Sequence, residues 1–125
     1  MALVDSSEHF NRSELACRHT DLCAMEESFL QKLEAVRIEF GQPMRITSAF
    51  RDQTHPVQAR KPNPRMGYHT KGRAVDVAVT GSDALRLIEI ALRNGMKGIG
   101  VCQKGDHSKR FIHLDDRDEF MIWSY

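Results

Sequence analysis

Residues 74–79 read Ala74-Val75-Asp76-Val77-Ala78-Val79, an apolar run with one aspartate near its centre. Short runs rich in β-branched residues are typical of strands, and apolar residues at successive positions indicate a strand covered on both faces. An ionised carboxylate in such a strand costs several kcal/mol unless a hydrogen bond, a cation or a metal ion compensates it. The run therefore predicts a buried strand in which Asp76 has a specific partner.

Helices and further strands are predicted on both sides of this run. Capping residues and helical apolar spacing indicate helices at about 11–17, from a cap at Thr20 or Asp21 to Gly41, and from Ser82 to Asn94. Segments rich in β-formers predict strands at 44–50, 99–102, 110–115 and 120–124. We therefore expect an α+β fold with a small, mainly antiparallel sheet and flanking helices. The aromatic residues Phe120, Trp123 and Tyr125 are expected to cover this sheet as core residues.

A long irregular loop is predicted just before the run. Residues 53–75 contain no acidic side chain, and Pro56, Pro62, Pro64, Gly67 and Gly72 interrupt any regular pattern. Loops of this length are usually functional or mobile. The loop is therefore a candidate location for functional side chains.

The length and composition indicate one globular domain spanning residues 1–125. The chain has 125 residues, 41% of them hydrophobic and 28% charged, which excludes disordered and low-complexity classes. Its 18 basic and 17 acidic residues leave a net charge of +1, so no overall field favours nucleic acid. No apolar run approaches the ~20 residues of a membrane span, and the N-terminus lacks a secretory signal pattern. We expect a protein that accumulates in the cytoplasm, and its oligomeric state stays open with a monomer as the default.

The three cysteines do not form a disulfide framework. Cys17, Cys23 and Cys102 cannot all pair within one molecule, so reduced and buried thiols are expected. Cys17 and Cys23 could instead bind a metal together with His19, but the C-x2-C spacing of structural zinc sites is missing.

Three residues form a candidate metal site. His69 lies in the loop, Asp76 lies inside the apolar strand, and His113 lies between Ile112 and Leu114. Two imidazoles and one carboxylate suit zinc, and three protein ligands leave a fourth position open for water, as catalytic sites require. The alternative is a salt-bridged aspartate with two core histidines, and spacing alone leaves both interpretations open.

Four segments of the chain resemble the M15 peptidases, a group of zinc D-alanyl-D-alanine carboxypeptidases and dipeptidases. Residues 67–76, Gly-Tyr-His-Thr-Lys-Gly-Arg-Ala-Val-Asp, are similar to the group's S-x-H-x-x-G-x-A-x-D signature. Residues 111–115, Phe-Ile-His-Leu-Asp, and residues 46–51, Ile-Thr-Ser-Ala-Phe-Arg, are similar to its F-[VI]-H-[VIL]-D and I-T-S-G-[YF]-R segments. Residues 9–17 are similar to the opening of the compact branch found in phage lysins and murein endopeptidases. The resemblance implies a fold like that of the hedgehog and D-Ala-D-Ala peptidase proteins.

The resemblance also implies the ligands and the reaction. His69, Asp76 and His113 would hold one zinc ion per chain, and the reaction would be hydrolysis of an amide bond in peptidoglycan peptides. By analogy with the group, Arg51 should face the zinc, where it could stabilise the developing oxyanion or bind a substrate carboxylate.

The sequence offers several candidates for the general base. Several relatives carry an acid three residues before the last zinc histidine or a histidine two residues before it, and this chain has Arg110 and Phe111 there. Asp115 should share a strand face with His113, so it could take the proton of the water or orient His113. Asp106 and His107, in the turn before this strand, are further candidates.

Two more positions depart from the group and bear on the substrate. Gly67 stands where relatives often have serine, and Pro56 stands where an asparagine often follows the arginine-bearing strand. The loop is cationic, with Arg60, Lys61, Arg65, Lys71 and Arg73. These cations could attract carboxylate-bearing stem peptides or form a solvated face.

The resulting hypothesis is a zinc-dependent peptidoglycan endopeptidase or carboxypeptidase, such as a phage endolysin, that acts at the bacterial cell wall. The alternative from another class is a phage virion or tail protein that keeps the fold for structure or wall binding with little catalysis. A metal-free adaptor is the third hypothesis. Which peptide bond is cleaved stays open.

Overall fold

Short helices and strands alternate irregularly along the chain. The computed structural model describes residues 2–62 and 67–125. In chain order the elements are β1 (Leu3–Val4), α1 (Arg12–Leu15), β2 (Met25–Glu26), α2 (Glu27–Phe40), β3 (Arg45–Ser48), α3 (Pro56–Ala59), β4 (Ala74–Ala78), α4 (Gly81–Arg93), β5 (Gly98–Cys102), β6 (Phe111–Asp115) and β7 (Met121–Ser124). One turn of 3₁₀ helix, His107–Lys109, lies immediately before β6.

Five of the strands form one sheet in the order β3-β4-β6-β5-β7. All neighbouring pairs are antiparallel except β5 and β7, which are parallel. β1 and β2 form a separate two-stranded ladder. The α+β class and the mainly antiparallel sheet predicted from the sequence are confirmed.

The two faces of the sheet differ in chemistry because side chains alternate along each strand. On one face Val75, Val77, Ile112 and Leu114 are buried in the hydrophobic core. That core also contains buried side chains of α2 and α4, among them Phe29, Leu33, Val36, Ala84, Leu87 and Ala91. The other face carries Asp76 and His113. The apolar residues of β4 therefore build the core, while its aspartate points to the opposite side.

The second helix begins later than predicted. The sequence favoured a cap at Thr20 or Asp21, but α2 starts at Glu27. Met25 and Glu26 pair with β1 instead, and the Glu26 N–H donates to the carbonyl of Gly72. These long-range backbone hydrogen bonds compete with the helix for residues 25 and 26, so the chain becomes helical only after them.

Two other elements differ from the prediction for local reasons. The loop expected to be irregular contains α3, because proline is tolerated at the first position of a helix and His55 caps it by accepting from the Val57 N–H. The N-cap of α4 is Thr80, two residues before the predicted cap at Ser82, and the helix begins at Gly81. The helix predicted at about 11–17 is α1, and Asn11 and Glu14 form a capping box at its start.

The prediction that the C-terminal aromatic residues are core residues is wrong for Phe120 and Tyr125, while Trp123 is half-buried and packs across the sheet. Phe120 is 70% exposed and Tyr125 is 48% exposed. β7 is an edge strand, and Trp123 and Tyr125 line a cavity on the sheet face that carries Asp76. Their side chains therefore contribute to a surface cleft.

The cysteines carry no disulfide. Cys17 is buried, whereas Cys23 and Cys102 are half-buried. Within residues 2–62 and 67–125 no helix has the length and apolar character needed to cross a membrane.

Candidate metal centre

Strand pairing places Asp76 directly beside His113. β4 and β6 are antiparallel, with Asp76 opposite His113 and Val75 opposite Leu114. Because the two residues share a pair, their side chains leave the sheet on the same face. His69 reaches this face from the loop before β4, and its carbonyl accepts from the Arg51 N–H at 3.2 Å.

The three side chains converge on one point. His69 Nε2 lies 3.3 Å and His113 Nδ1 lies 3.0 Å from Asp76 Oδ1. One potential ligand atom from each residue lies within 4.8 Å of the other two. Zinc bonds of about 2.0 Å in a tetrahedron would place neighbouring ligand atoms about 3.3 Å apart. The spacing of the three groups therefore fits a single ion of this kind.

The outer nitrogens of both histidines are hydrogen-bonded. His69 Nδ1 lies 2.7 Å from the Ala49 carbonyl, and His113 Nε2 lies 2.7 Å from Asp115 Oδ2. A carbonyl or carboxylate can only accept, so these nitrogens donate and the inner nitrogens of the neutral rings carry lone pairs. Two lone pairs and a carboxylate oxygen then face one another, which is unfavourable unless a cation lies between them. This is the arrangement by which proteins orient metal-binding histidines.

The protonation of the three groups follows from burial and these contacts. Burial lowers the pKa of His69, which keeps this imidazole neutral. Burial alone would raise the pKa of Asp76, but its contacts with the imidazoles of His113 and His69 outweigh burial and hold this pKa well below its usual range. For His113 burial acts in the lowering direction, yet hydrogen bonds with Asp115 and Asp76 raise its pKa. Without metal, a proton on His113 can therefore take the place of the cation.

Asp115 is fully buried and both of its oxygens are used. Oδ2 accepts from His113 Nε2 and from Arg117 Nη2, the latter at 2.6 Å. Oδ1 accepts from the backbone N–H and from Nε of Arg117 at 3.2 and 2.8 Å. Burial would raise the pKa of Asp115, but the hydrogen bonds from Arg117 and His113 lower it. Asp115 is thus an ionised carboxylate directed at His113.

Arg51 lies beside the aspartate. Its Nη2 lies 3.6 Å from Asp76 Oδ2 and donates to Ser48 Oγ at 3.0 Å. Its side chain is only 12% exposed, and its Nε is buried without a hydrogen-bond partner. The guanidinium therefore has donor capacity that the described residues do not satisfy.

Two glycines of β5 make room for this arrangement. A Cβ at Gly98 would overlap Asp115 Oδ1 and Arg117 Nε. A Cβ at Gly100 would lie 2.8 Å from Trp123 Nε1 and 3.0 Å from His113 Cβ. The His113, Asp115 and Trp123 side chains therefore lie across β5 only because that strand has no side chains at these two positions.

Gly72 lets the loop reach the site. It has φ +71°, and a Cβ there would overlap the Ala24 carbonyl oxygen and lie 2.9 Å from Met25 Cα. The atoms that this Cβ would meet belong to the backbone, so they could not move away without displacing the chain. Glycine is therefore required at this position both by its conformation and by the close approach.

Gly72→Ala is expected to destabilise the protein by about 3 kcal/mol or more, because a left-handed residue and a backbone overlap combine. Gly81→Ala is the matched control, since Gly81 has φ +61° but nothing within 4 Å of a Cβ. We expect that control to cost only about 1–2 kcal/mol. Urea unfolding of both variants measures the difference, and equal losses would contradict the close-approach explanation.

A cavity of about 540 Å³ opens above the three residues. It is lined by charged side chains, among them Arg51, Lys61 and Arg117, and by Tyr68, Phe111, Trp123 and Tyr125. Among the residues that the structure describes, only His69, Asp76 and His113 form a candidate group of metal ligands. The group therefore borders open space in which a fourth ligand could bind.

The other predicted candidates lie elsewhere. His107 borders a different cavity, together with Phe40 and Asp83, and Asp106 precedes it at an exposed turn. Within the described ranges, Cys17, His19 and Cys23 do not form a candidate metal group. Arg117, Gly98, Gly100 and Trp123 are site residues that the sequence did not reveal. Arg117 could have been suspected, because it lies two residues after Asp115.

A family model described as Peptidase M15 matches residues 8–115. The match covers most of the chain and includes Arg51, the three candidate ligands and Asp115. No curated protein matches the chain.

Proposed function

Because the chain belongs to the Peptidase M15 family, we propose that it is a zinc peptidase that hydrolyses an amide bond in bacterial peptidoglycan peptides. The observation that carries this proposal is the convergence of His69 Nε2, Asp76 Oδ1 and His113 Nδ1 beside an open cavity. Catalytic zinc sites need three protein ligands of these types and an open position. Residues 1–125 would form the catalytic domain.

In this proposal His69, Asp76 and His113 hold the ion. When bound, zinc supplies a Lewis acid for the scissile carbonyl and a water whose pKa is near neutrality. The protein keeps both imidazoles in the tautomer that presents a lone pair, through Ala49 and Asp115. A nucleophilic serine or cysteine is not needed for such a reaction.

Arg51 would stabilise the oxyanion that develops on the scissile carbonyl. Its guanidinium is mostly buried at the edge of the cavity, where a charged hydrogen bond is stronger than in water. The contact with Ser48 holds the side chain in place before substrate binds. Little reorganisation is then required during the reaction.

Asp115 would act as a positioning residue and not as the base. A base needs an oxygen that can reach the water, whereas both oxygens of Asp115 are occupied by His113 and Arg117. The described residues that line the cavity include no other carboxylate or imidazole beyond the three ligands and Asp115. Zinc, if bound there, would supply the acidity of the water, so Asp115 would need only to orient His113.

Asp115→Asn is expected to lower zinc affinity about 10- to 100-fold, because the hydrogen bond that orients His113 is weakened. With saturating zinc, kcat should remain near the wild-type value. Zinc titration followed by activity measurement separates the two effects, and thermal unfolding checks that the variant is folded. If Asp115 were the base, kcat would fall about 10²- to 10⁴-fold even with saturating zinc.

The substrate class is tested with purified murein. The metal-loaded protein should reduce the turbidity of murein or of permeabilised cells, and a chelator should stop the reaction. Mass spectrometry of the released fragments would identify the bond that is cleaved. A wall-binding or virion protein without catalysis would leave the murein intact under both conditions, and that result would overturn the proposal. We also propose that the protein is released from the cytoplasm and reaches the cell wall, as a phage endolysin does.

A further inference from the structure

The cavity above the candidate metal centre has an excess of positive charge. Arg51, Lys61 and Arg117 line it together with the carboxylates Asp76 and Asp115. Arg117 is neutralised by its paired hydrogen bonds to Asp115. A divalent ion on Asp76 would leave Arg51 and Lys61 without a full counter-charge. An anionic group from a ligand would complete the balance.

Among the described residues, Lys61 is the cation of this cavity that forms no ion pair. Arg51 lies 3.6 Å from Asp76, whereas Lys61 forms no ion pair among the described residues. Lys61 is an exposed residue whose pKa is lowered by partial burial and by repulsion from Arg51, while attraction by Asp76 opposes both. Asp76 offsets this repulsion in the free protein, and a metal ion held by Asp76 would take up that negative charge. A bound carboxylate would relieve this repulsion.

The backbone that carries Lys61 is anchored. The Lys61 N–H donates to the Gln58 carbonyl at 3.1 Å, and the side chain of Gln58 is fully buried. A Cβ at Gly67 would lie 2.7 Å from Gln58 Nε2. The glycine that replaces the serine of many relatives therefore accommodates Gln58, and Gln58 fixes the turn after α3 from which Lys61 extends.

We propose that Lys61 is a specificity-determining residue that binds a carboxylate of the substrate peptide on the Arg51 side of the cavity. The inference rests on the proposed peptidase function and assigns Lys61 a role in choosing among peptides. The carboxylate is either the α-carboxylate at the end of the peptide or the side-chain carboxylate of an acidic residue next to the scissile bond. Aromatic residues that line the same cavity, such as Trp123 and Tyr125, would pack against the uncharged part of the peptide.

The test uses synthetic stem peptides in which one carboxylate at a time is converted to the amide. For the metal-loaded wild-type protein, amidation of the recognised carboxylate should reduce kcat/KM about tenfold or more, mainly through KM. The amidated position that causes this loss identifies the terminal or the side-chain source. Lys61→Ala should hydrolyse the acid and amide forms about equally, and Lys61→Arg should keep the wild-type preference.

Arg60→Ala is the matched control. Arg60 is the neighbouring cation, is exposed and does not line the cavity, so this variant should keep the wild-type preference. Repeating the measurements at high salt separates a direct contact from long-range attraction, which salt screens. An undiminished preference in Lys61→Ala, or an equal loss in Arg60→Ala, would overturn the inference.

Calorimetric titration of the same peptides provides a readout that does not depend on hydrolysis. If the metal-loaded wild-type protein hydrolyses none of the peptides, the peptidase proposal fails. Carboxylate-dependent binding that is lost in Lys61→Ala would still support the role of Lys61. Binding that is equal for acid and amide peptides in the wild-type protein would refute that role by itself.

Discussion

His113→Ala is expected to lose bound zinc and to reduce kcat/KM by about 10³-fold or more. The imidazole supplies one of three candidate ligand atoms, and its Nδ1 lies 3.0 Å from Asp76 Oδ1. Without it the ion would keep two protein ligands, and several kcal/mol of transition-state stabilisation by the metal would disappear. Elemental analysis of the purified variant and hydrolysis of murein measure the two losses together.

His107→Ala is the control for this experiment. His107 is exposed and borders another cavity, so zinc content and activity should remain at the wild-type level. Because His113 is buried and contacts Asp115, its loss could also impair folding. His69→Gln therefore serves as a second ligand variant, with thermal unfolding recorded for both. A folded ligand variant that keeps its full activity would rule out this metal centre as the catalytic site.

Arg51→Ala is expected to reduce kcat about 10²- to 10³-fold while zinc content stays unchanged. The guanidinium would stabilise charge that exists only in the transition state, so its removal lowers kcat more than it raises KM. Arg51→Lys should recover only part of the activity, because an ammonium lacks the planar fork of the guanidinium. Steady-state kinetics with a defined peptide separate kcat from KM.

Arg45→Ala controls for the loss of one positive charge. Arg45 lies on β3, is exposed and does not line the cavity above the metal centre. We expect its kinetics to match the wild type. An Arg51→Ala variant that raises KM but keeps kcat would show that Arg51 binds the ground state of the substrate, which would refute its role in oxyanion stabilisation.

The candidate ligands could be predicted because their signals are local. A carboxylate inside an apolar strand requires a partner, and the seven-residue spacing between His69 and Asp76 is part of a recognisable motif. The shared face of His113 and Asp115 follows from the two-residue period of a strand, and their contact at 2.7 Å is what that period predicts.

The errors fall where distant segments compete for the same backbone or the same surface. Nothing near Thr20 or Asp21 shows that residues 25 and 26 pair with residues 3 and 4. Local signals therefore predict a start for α2 that is too early in the chain. Likewise the aromatic character of the C-terminal segment predicts core residues at Phe120, Trp123 and Tyr125. Nothing in that segment alone shows that β7 is an edge strand next to an open cleft.

Local patterns along the chain were enough to predict the α+β class, since side-chain period acts within a few residues, and the resemblance to the M15 motifs singled out the two histidines and one aspartate that meet. Local patterns could not show that both oxygens of Asp115 are already hydrogen-bonded. Arg117 folds back and donates to both of them, and this contact is sterically possible only because Gly98 on the neighbouring strand leaves the space free. The hydrogen bonds that a side chain such as Asp115 accepts come from its neighbours in space. The strand order that creates those neighbours is a property of the whole fold.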